Sequence, residues 1–524
     1  MTSVHTGEYT TPAEYTIGPK ESCVTALLAT AAARPYGVLF TRPQNFEWVN
    51  VTAQEFVDEV FEVAKGLIAN GVTQGDRVAL LSETRYEWSL LDFAIWAAGA
   101  VTVPIYGSSS LSQVEWIVED SGAVFAVTET PEHTDMVKRL ELDAEGRPPL
   151  KGSSSKLRRV PEINASAIPT LKFEGRGISD DEVRARIDAT NSSDLASLVY
   201  TSGTTGRPKG CRLTHHNWLA QVRALLTHPI GAIAVPGTRV LTFLPLAHVL
   251  SRAVSLAVAI GGATQSHWSD FSSLSVEFQR ARPNMILGVP RVFEKVRNGA
   301  AANAQDNGPL RAAAFAQAER VAQDYSRALD TPEGPSRALR MKHAMFDKLV
   351  YSKIRAAMGA SVKYCISGGS AMSPDLLHFF RGMGVTVYEG YGLTETSPVV
   401  TINRSYETHR SGSVGPFLDS YEHKLRTREG QDTQENEGVL WVRGPSVTRG
   451  YFRAPELTAE RFEDGWFNTG DYVRIEDGFV RILDRVTDIL IVGGFNVYPQ
   501  EVEKVLAGHP AVQTAIVVGI PHDI

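Results

Sequence analysis

The sequence predicts an α/β protein, with a large N-terminal region of several subdomains and a small α+β domain at the C-terminal end. Length is the first reason: 524 residues exceed the size at which one hydrophobic core keeps growing. Alternation is the second. Over residues 24–128, helix-like patterns such as AQEFVDEVFEVAKGLIANG alternate with short apolar runs, RVALLS, VTVPIY and AVFAVT, bounded by Gly and Pro. Such alternation packs helices on a largely parallel sheet. The third is a change of texture after about residue 412, where segments become strand-like with frequent Gly and Pro, before DILIVGGFNVYPQEVEKVLAGH reads as strand, turn and helix.

Between these parts the pattern is interrupted twice. A Gly/Ser/Pro-rich polar stretch over residues 143–191, with KGSSSKLRR inside it, is expected to be an exposed, mobile loop. An Ala-rich stretch over about 295–350, including AAAFAQAERVAQDYSRAL, carries charges at helical spacing and predicts a helical excursion from the sheet. Regular alternation resumes around it in LASLVY, VLTFLP, MILGVP and VTVYEGYG.

Composition narrows the class. Apolar residues are 43% and charged residues 21%, as in ordinary folded proteins. A net charge of -7 leaves no overall basic surface for a phosphate backbone, so nucleic acid is not an expected partner. Cys23, Cys211 and Cys365 are far apart and odd in number, which predicts reduced thiols. No basic segment followed by an apolar core opens the chain, so a cytoplasmic location is expected. The most apolar stretches, 93–106 and 253–263, fall short of the roughly 20 residues that span a bilayer. Peripheral contact with the inner face of a membrane stays compatible with this composition.

The strongest local signal follows LASLVY: YTSGTTGRPKG, with Thr201, Ser202, Gly203, Thr204, Thr205, Gly206 and Lys209. Glycines let backbone N–H groups approach an anion, hydroxyls add donors, and Lys209 adds positive charge. A polyphosphate fits, and so does a polar turn between strand and helix. It is not a Walker loop, because Lys209 lies between Pro208 and Gly210.

The segment resembles the signature of the adenylate-forming superfamily, which includes acyl-CoA synthetases, luciferases and the adenylation domains of peptide synthetases. Further blocks resemble that family in the same order. LPLAH ends in His248, matching a family His near the acyl and ATP sites; taken alone it reads equally as structural. SGGSA, with Gly369, Ser370 and Ala371, looks like the family's nucleotide-binding turn. YEGYGLTET carries Glu389, Gly390, Tyr391, Gly392, Thr394 and Glu395. By resemblance Tyr391 flanks adenine, Thr394 touches the α-phosphate and Glu395 holds Mg²⁺, with Thr204 also on the metal; carboxylate oxygens suit that ion. WFNTGD places Asp471 where the family's Asp accepts both ribose hydroxyls. Arg485 matches an Arg at the junction with the small domain, contacting ribose or phosphate; its bland reading is a linker cation paired with Asp484 or Asp488. The closing GGFNVYPQEVE places Gly493, Gly494 and Phe495 on the coenzyme A side.

The resemblance implies layered αβαβα architecture with a small β-barrel over residues 1–483, and a partial mobile domain over 484–524. It implies ATP, Mg²⁺ and coenzyme A as cofactor set, a fatty acid as the small-molecule partner, and Lys209, Thr204, His248 and Glu395 as the catalytic group. LPLAHVLSRAV and the helical excursion are similar to long-chain fatty acyl-CoA synthetases, whereas the GGFNVYP segment is closer to medium-chain and general ligases. The expected reaction is acid activation to acyl-AMP and transfer to coenzyme A. Alternatives are a fatty acyl-AMP ligase that loads a carrier protein, or a weakened nucleotide-binding or acyl-binding relative. Two departures bear on the rate. Asp484 and Thr487 stand where the family usually has Gly and a hinge Asp or Lys, and the family's late catalytic Lys has no counterpart before Ile524. If 524 residues is the full length, slow adenylation is expected, with thioester formation less affected.

Overall fold

The structure is a computed structural model that describes residues 9–10, 13–44, 47–143, 145–148, 150, 152–201, 207–404, 410, 412–426, 436–492, 495–507, 509, 512 and 515–520. Two mainly parallel sheets form its centre. One has five strands in the order Phe125–Thr128, Arg77–Leu81, Val101–Ile105, Leu195–Thr201 and Lys209–Thr214, the last antiparallel. Along Arg77–Leu81, Val78 and Leu80 join one hydrophobic cluster while Ala79 and Leu81 join another. Both faces of the sheet are therefore buried, which is why its strands read as continuous apolar runs.

The other sheet has eight strands. Six parallel ones, Thr386–Gly392, Tyr364–Ser367, Met285–Gly288, Arg239–Thr242, Thr264–His267 and Val38–Gln44, lie between antiparallel edges Val399–Ile402 and Glu47–Thr52. Helices cover both. Ala53–Ala69 starts at a capping box in which the Thr52 hydroxyl accepts from Glu55 N–H and the Glu55 carboxylate accepts from Thr52 N–H.

A third, antiparallel sheet of six strands occupies the place expected for the small barrel, with Trp466–Glu476 between Glu437–Arg443 and Phe479–Arg485. Beyond it come a hairpin, Leu490–Val492 with Phe495–Val497, and the helix Pro499–Ala507. The expected boundary at 483/484 falls inside the strand Phe479–Arg485.

One expectation needs correction. The polar stretch 143–191 is not simply an exposed loop: Arg158 N–H donates to Val124 O, Arg159 O accepts from Ala126 N–H, and Ile163 N–H donates to Thr128 O. Backbone pairing with an exposed sheet edge satisfies this segment without an apolar pattern. Helices Ala167–Glu174 and Asp180–Ala189 follow. The helices of the excursion are Pro290–Asp306, Pro309–Ala328, Arg337–Phe346 and Ser352–Ala357. The excursion packs on Pro374–Gly382, where a Cβ on Gly382 would lie 2.0 Å from Ala322 O. Among the described residues, no helix is long and apolar enough to cross a membrane, and all three cysteines are buried and free.

Candidate active site

The YTSGTTGRPKG segment joins two strands, not a strand and a helix. Thr201 pairs with Lys209 and Tyr200 with Gly210 in an antiparallel hairpin, so Lys209 stands at the base of the loop. Ser202, Gly203, Thr204, Thr205 and Gly206 lie outside the described residues. The base is held from the side: Trp116 Nε1–H donates to Pro208 O at 2.8 Å, and the Arg207 guanidinium lies 4.6 Å from the Trp116 ring. Helix His215–Thr227 begins only after the second strand.

The segment Thr448–Phe452 straps this hairpin to the turn that carries Glu395. Phe452 N–H donates to Gly210 O at 2.7 Å, Arg212 N–H to Gly450 O at 3.2 Å, and Thr448 Oγ1 to Arg212 O at 2.5 Å. On the other side, Thr448 N–H donates to Glu395 O at 2.7 Å, and the Tyr451 hydroxyl donates to Glu395 Oε1 at 2.6 Å. Tyr451 is buried, and burial together with the Glu395 charge pushes its phenol pKa up, so it remains a donor. Burial and Glu395 likewise keep the Cys211 thiol protonated. Among the described residues Glu395 Oε2 takes no hydrogen bond.

Thr394 and Glu395 lie in a single turn, Thr394–Thr396, at the carboxyl end of strand Thr386–Gly392. Gly392 is required there, because a Cβ would lie 1.7 Å from Pro398 O. Upstream in the same strand, Gly390 pairs with Ile402 and Tyr391 with Thr401. The Tyr391 hydroxyl donates to Asp471 Oδ2 at 2.5 Å, and Arg485 Nε lies 3.5 Å from Asp471 Oδ1, across the strand pair in which the two residues are register partners. Arg485 therefore pairs with Asp471, whereas Asp484 accepts from the Arg485 backbone. Burial raises the Asp471 pKa, opposed by Tyr391 and Arg485.

Glu389 is buried and shapes the neighbouring turn: its Oε1 accepts Met372 N–H at 3.0 Å, tying residues 368–372 to the adjacent strand end. Gly369, Ser370 and Ala371 are exposed, and Gly369 has φ of 85°. His248 caps helix Val249–Gly261, its Nδ1 accepting from Leu250 N–H at 3.1 Å. The imidazole proton then sits on Nε2, and desolvation lowers the pKa, so the ring is neutral at pH 7. A Cβ on Gly368 would lie 3.1 Å from Leu250 Cδ2, so the His248 helix start and the glycine turn are neighbours.

The structure thus gathers Lys209, Glu395, Tyr391, Asp471 and Arg485 through a chain of contacts, and sets His248 beside the Gly368–Ala371 turn. Gly493 and Gly494 lie outside the described residues, while Phe495 pairs with Val492 in the terminal hairpin. Sequence reasoning missed Tyr451 and the strap around it; nothing distinguishes Tyr451 in THR-ARG-GLY-TYR order from an ordinary core aromatic. Residues Tyr325, His343, Asp347 and Arg355 of the helical excursion line a cavity of about 550 Å³ at the amino ends of strands Tyr364–Ser367 and Thr386–Gly392, away from the turns just described.

A profile of the AMP-binding enzyme family matches residues 29–452. The chain is 42% identical over 518 residues to the long-chain-fatty-acid–CoA ligase FadD15 of Mycobacterium bovis, covering 98% of this chain and 82% of that protein. It resembles ATP-bound MatB from Rhodopseudomonas palustris with a TM-score of 0.73 at 25% identity, over 97% of this chain and 86% of that one. A Mycobacterium tuberculosis fatty acyl CoA synthetase shares the fold, with a TM-score of 0.68 at 24% identity over 96% and 86% of the two chains. Sequence blocks, fold and the convergence of their residues agree, and the chain belongs to the AMP-binding enzymes.

Proposed function

We propose that this enzyme is a long-chain fatty acid–CoA ligase that converts a fatty acid and ATP to acyl-AMP and pyrophosphate, then passes the acyl group to coenzyme A with release of AMP. The observation that carries this reading is the contact chain from the Lys209 hairpin through Tyr451 and Glu395 to Tyr391, Asp471 and Arg485. It joins two cations, Lys209 and Arg485, to one half-buried carboxylate, Glu395, and one buried carboxylate, Asp471. The 42% identity to a long-chain-fatty-acid–CoA ligase supports the acid and the acceptor.

In the first step a carboxylate oxygen of the acid bonds to the ATP α-phosphorus and pyrophosphate leaves; in the second the coenzyme A sulfur bonds to the acyl carbon and AMP leaves. Negative charge develops in both, so positioning and electrostatics are the main tools. Lys209 contributes positive charge at the loop base, with Thr201, Ser202, Gly203, Thr204, Thr205 and Gly206 as the proposed phosphate cradle. His248 offers its Nε2–H as a neutral donor. Gly369, Ser370, Ala371 and Tyr391 form the proposed adenine side, and Asp471 accepts from ribose with the lone pairs that Tyr391 and Arg485 leave available. Thr394 is the proposed α-phosphate contact.

The donor set fits Mg²⁺ bound mainly through substrate phosphates. Among the described residues no three carboxylate, imidazole or thiol groups converge, and Glu395 presents one oxygen that no side chain holds, with Thr204 as a second proposed ligand. When bound, the ion would neutralise phosphate charge. Gly493, Gly494 and Phe495 are the proposed coenzyme A side, and residues 484–488 the proposed hinge.

A panel of fatty acids of increasing length, assayed for pyrophosphate release and thioester with and without coenzyme A, tests the reading. Thioester from free coenzyme A with the longer acids is expected. Adenylate that accumulates without any thioester would favour a carrier-protein acceptor, and pyrophosphate release at background with every acid would sink the enzyme assignment.

A further inference from the structure

Residues 337–357 form a nearly continuous helical rod: helix Arg337–Phe346, a wider turn Asp347–Tyr351, and helix Ser352–Ala357. Its inward side is apolar, with Phe346, Tyr351 and Ile354 buried. An outward side of ordinary polar residues would complete an amphipathic helix. Instead Met341, Met345 and Leu349 stand on it at four-residue spacing, 75%, 48% and 55% exposed. Side chains four apart share a helical face, and the wider turn reduces the drift of that spacing, keeping Leu349 in line.

The charge on the rod is as unusual as its apolar stripe. Residues 337–357 hold Arg337, Arg340, Lys342, Lys348, Lys353 and Arg355 against one acid, Asp347, in a chain whose net charge is -7. Asp347 is already paired with Arg355 at 2.7 Å. The five other cations are exposed, and among the described residues none forms an ion pair with a carboxylate. Elsewhere in the excursion Arg297 pairs with Glu319 and Arg327 with Asp375.

We propose that this rod is a docking surface for an anionic lipid bilayer, with Met341, Met345 and Leu349 entering the headgroup region and Arg337, Arg340, Lys342, Lys348 and Lys353 meeting lipid phosphates. Exposed apolar side chains flanked by unpaired cations are the physical signature of an interfacial helix. An acidic protein partner would account for the cations but not for three exposed apolar side chains in line. The inference draws on the fatty-acid reading for its purpose, since such acids partition into bilayers; the surface itself is read without any substrate, so the two can fail separately.

The full chain is sedimented with vesicles of phosphatidylcholine alone and of phosphatidylcholine with phosphatidylglycerol, at low and high salt. Co-sedimentation with the anionic vesicles, weakened by salt, is expected. Each basic residue near an anionic surface contributes enough that K342E/K348E/K353E should lower the partition coefficient about tenfold or more. M341S/M345S/L349S should lower it by a similar factor, and both variants should keep wild-type circular dichroism and pyrophosphate release. Equal binding to both vesicle types, binding unchanged in both variants, or no binding at all overturns the proposal. So does a wild-type dimer that dissociates in the serine variant, which would assign the face to a second copy of this chain.

Discussion

Glu395 accepts the Tyr451 hydroxyl at 2.6 Å through Oε1, while its backbone oxygen accepts Thr448 N–H. A hydrogen bond to a charged acceptor contributes on the order of 1.5–3 kcal/mol. Tyr451→Phe removes that donor and leaves the carboxylate free to rotate, so kcat/KM for ATP should fall about tenfold, with a higher Mg²⁺ concentration needed for half-maximal pyrophosphate release. An unchanged Mg²⁺ titration would show that Tyr451 merely packs. At Asp471 the corresponding change is Asp471→Asn, which keeps the shape but replaces an acceptor oxygen beside Tyr391 and Arg485. The KM for ATP should rise by about tenfold or more, measured at saturating acid, because the amide has one acceptor oxygen for the proposed ribose contacts and for both Tyr391 and Arg485, and turns an NH2 donor toward one of them. Most of these residue positions were legible in the order of the sequence blocks. Tyr451 was not, because its role comes from a partner 56 residues away, and the pairing of Arg485 with Asp471 in preference to its neighbours Asp484 and Asp488 is a matter of strand register.

Elements hold the site by packing that a local pattern does not announce. Helix Val249–Gly261, which His248 caps, is anchored by Arg252: its Nε and Nη2 donate to Asp92 at 2.8 and 2.5 Å, inside a cage of Trp88, Trp96 and Trp218 within 5.0–5.4 Å of the guanidinium. Arg252 and Asp92 are almost wholly buried. Removing one partner strands the other charge, so Asp92→Ala should lower stability by about 3–5 kcal/mol, read as the shift in a urea transition followed by tryptophan fluorescence. The helices Pro309–Ala328 and Pro374–Gly382 approach so closely at Gly382 that only hydrogen fits against Ala322 O, 2.0 Å from the Cβ position. Gly382→Ala should force them apart at a cost of about 1–3 kcal/mol while leaving the KM for ATP unchanged; a thermal midpoint equal to wild type would contradict that. The excursion was legible as helices from its alanines and charge spacing. Where it packs was not: its helices border a cavity at the amino ends of strands Tyr364–Ser367 and Thr386–Gly392.

Across the molecule, several histidines are buried in the neutral form. Burial depresses His215 and His228 to about 4, His423 to about 4 and His267 to about 3. The unfolded chain binds protons at these sites near the ordinary value of about 6.5, and the folded chain does not. Their contribution is therefore complete above that value and is lost as pH falls toward the folded values. The urea midpoint should decline from about pH 6.5 to pH 4, and His215→Gln should make the decline shallower. A midpoint flat over that range would mean that other groups compensate. At this scale the amino-acid sequence was sufficient for the class of fold, the ordered blocks and the chemistry they imply, because apolar periodicity and glycine-rich spacing are local properties carried by neighbouring residues. The tertiary structure alone decided which blocks touch, that the phosphate-loop candidate joins two strands, that residues 158–163 of the polar stretch pair with a sheet edge, and that a strap bearing Tyr451 closes on Glu395. Those outcomes depend on strand order and register between residues far apart in the chain, where each contact is selected by what the rest of the fold leaves unsatisfied.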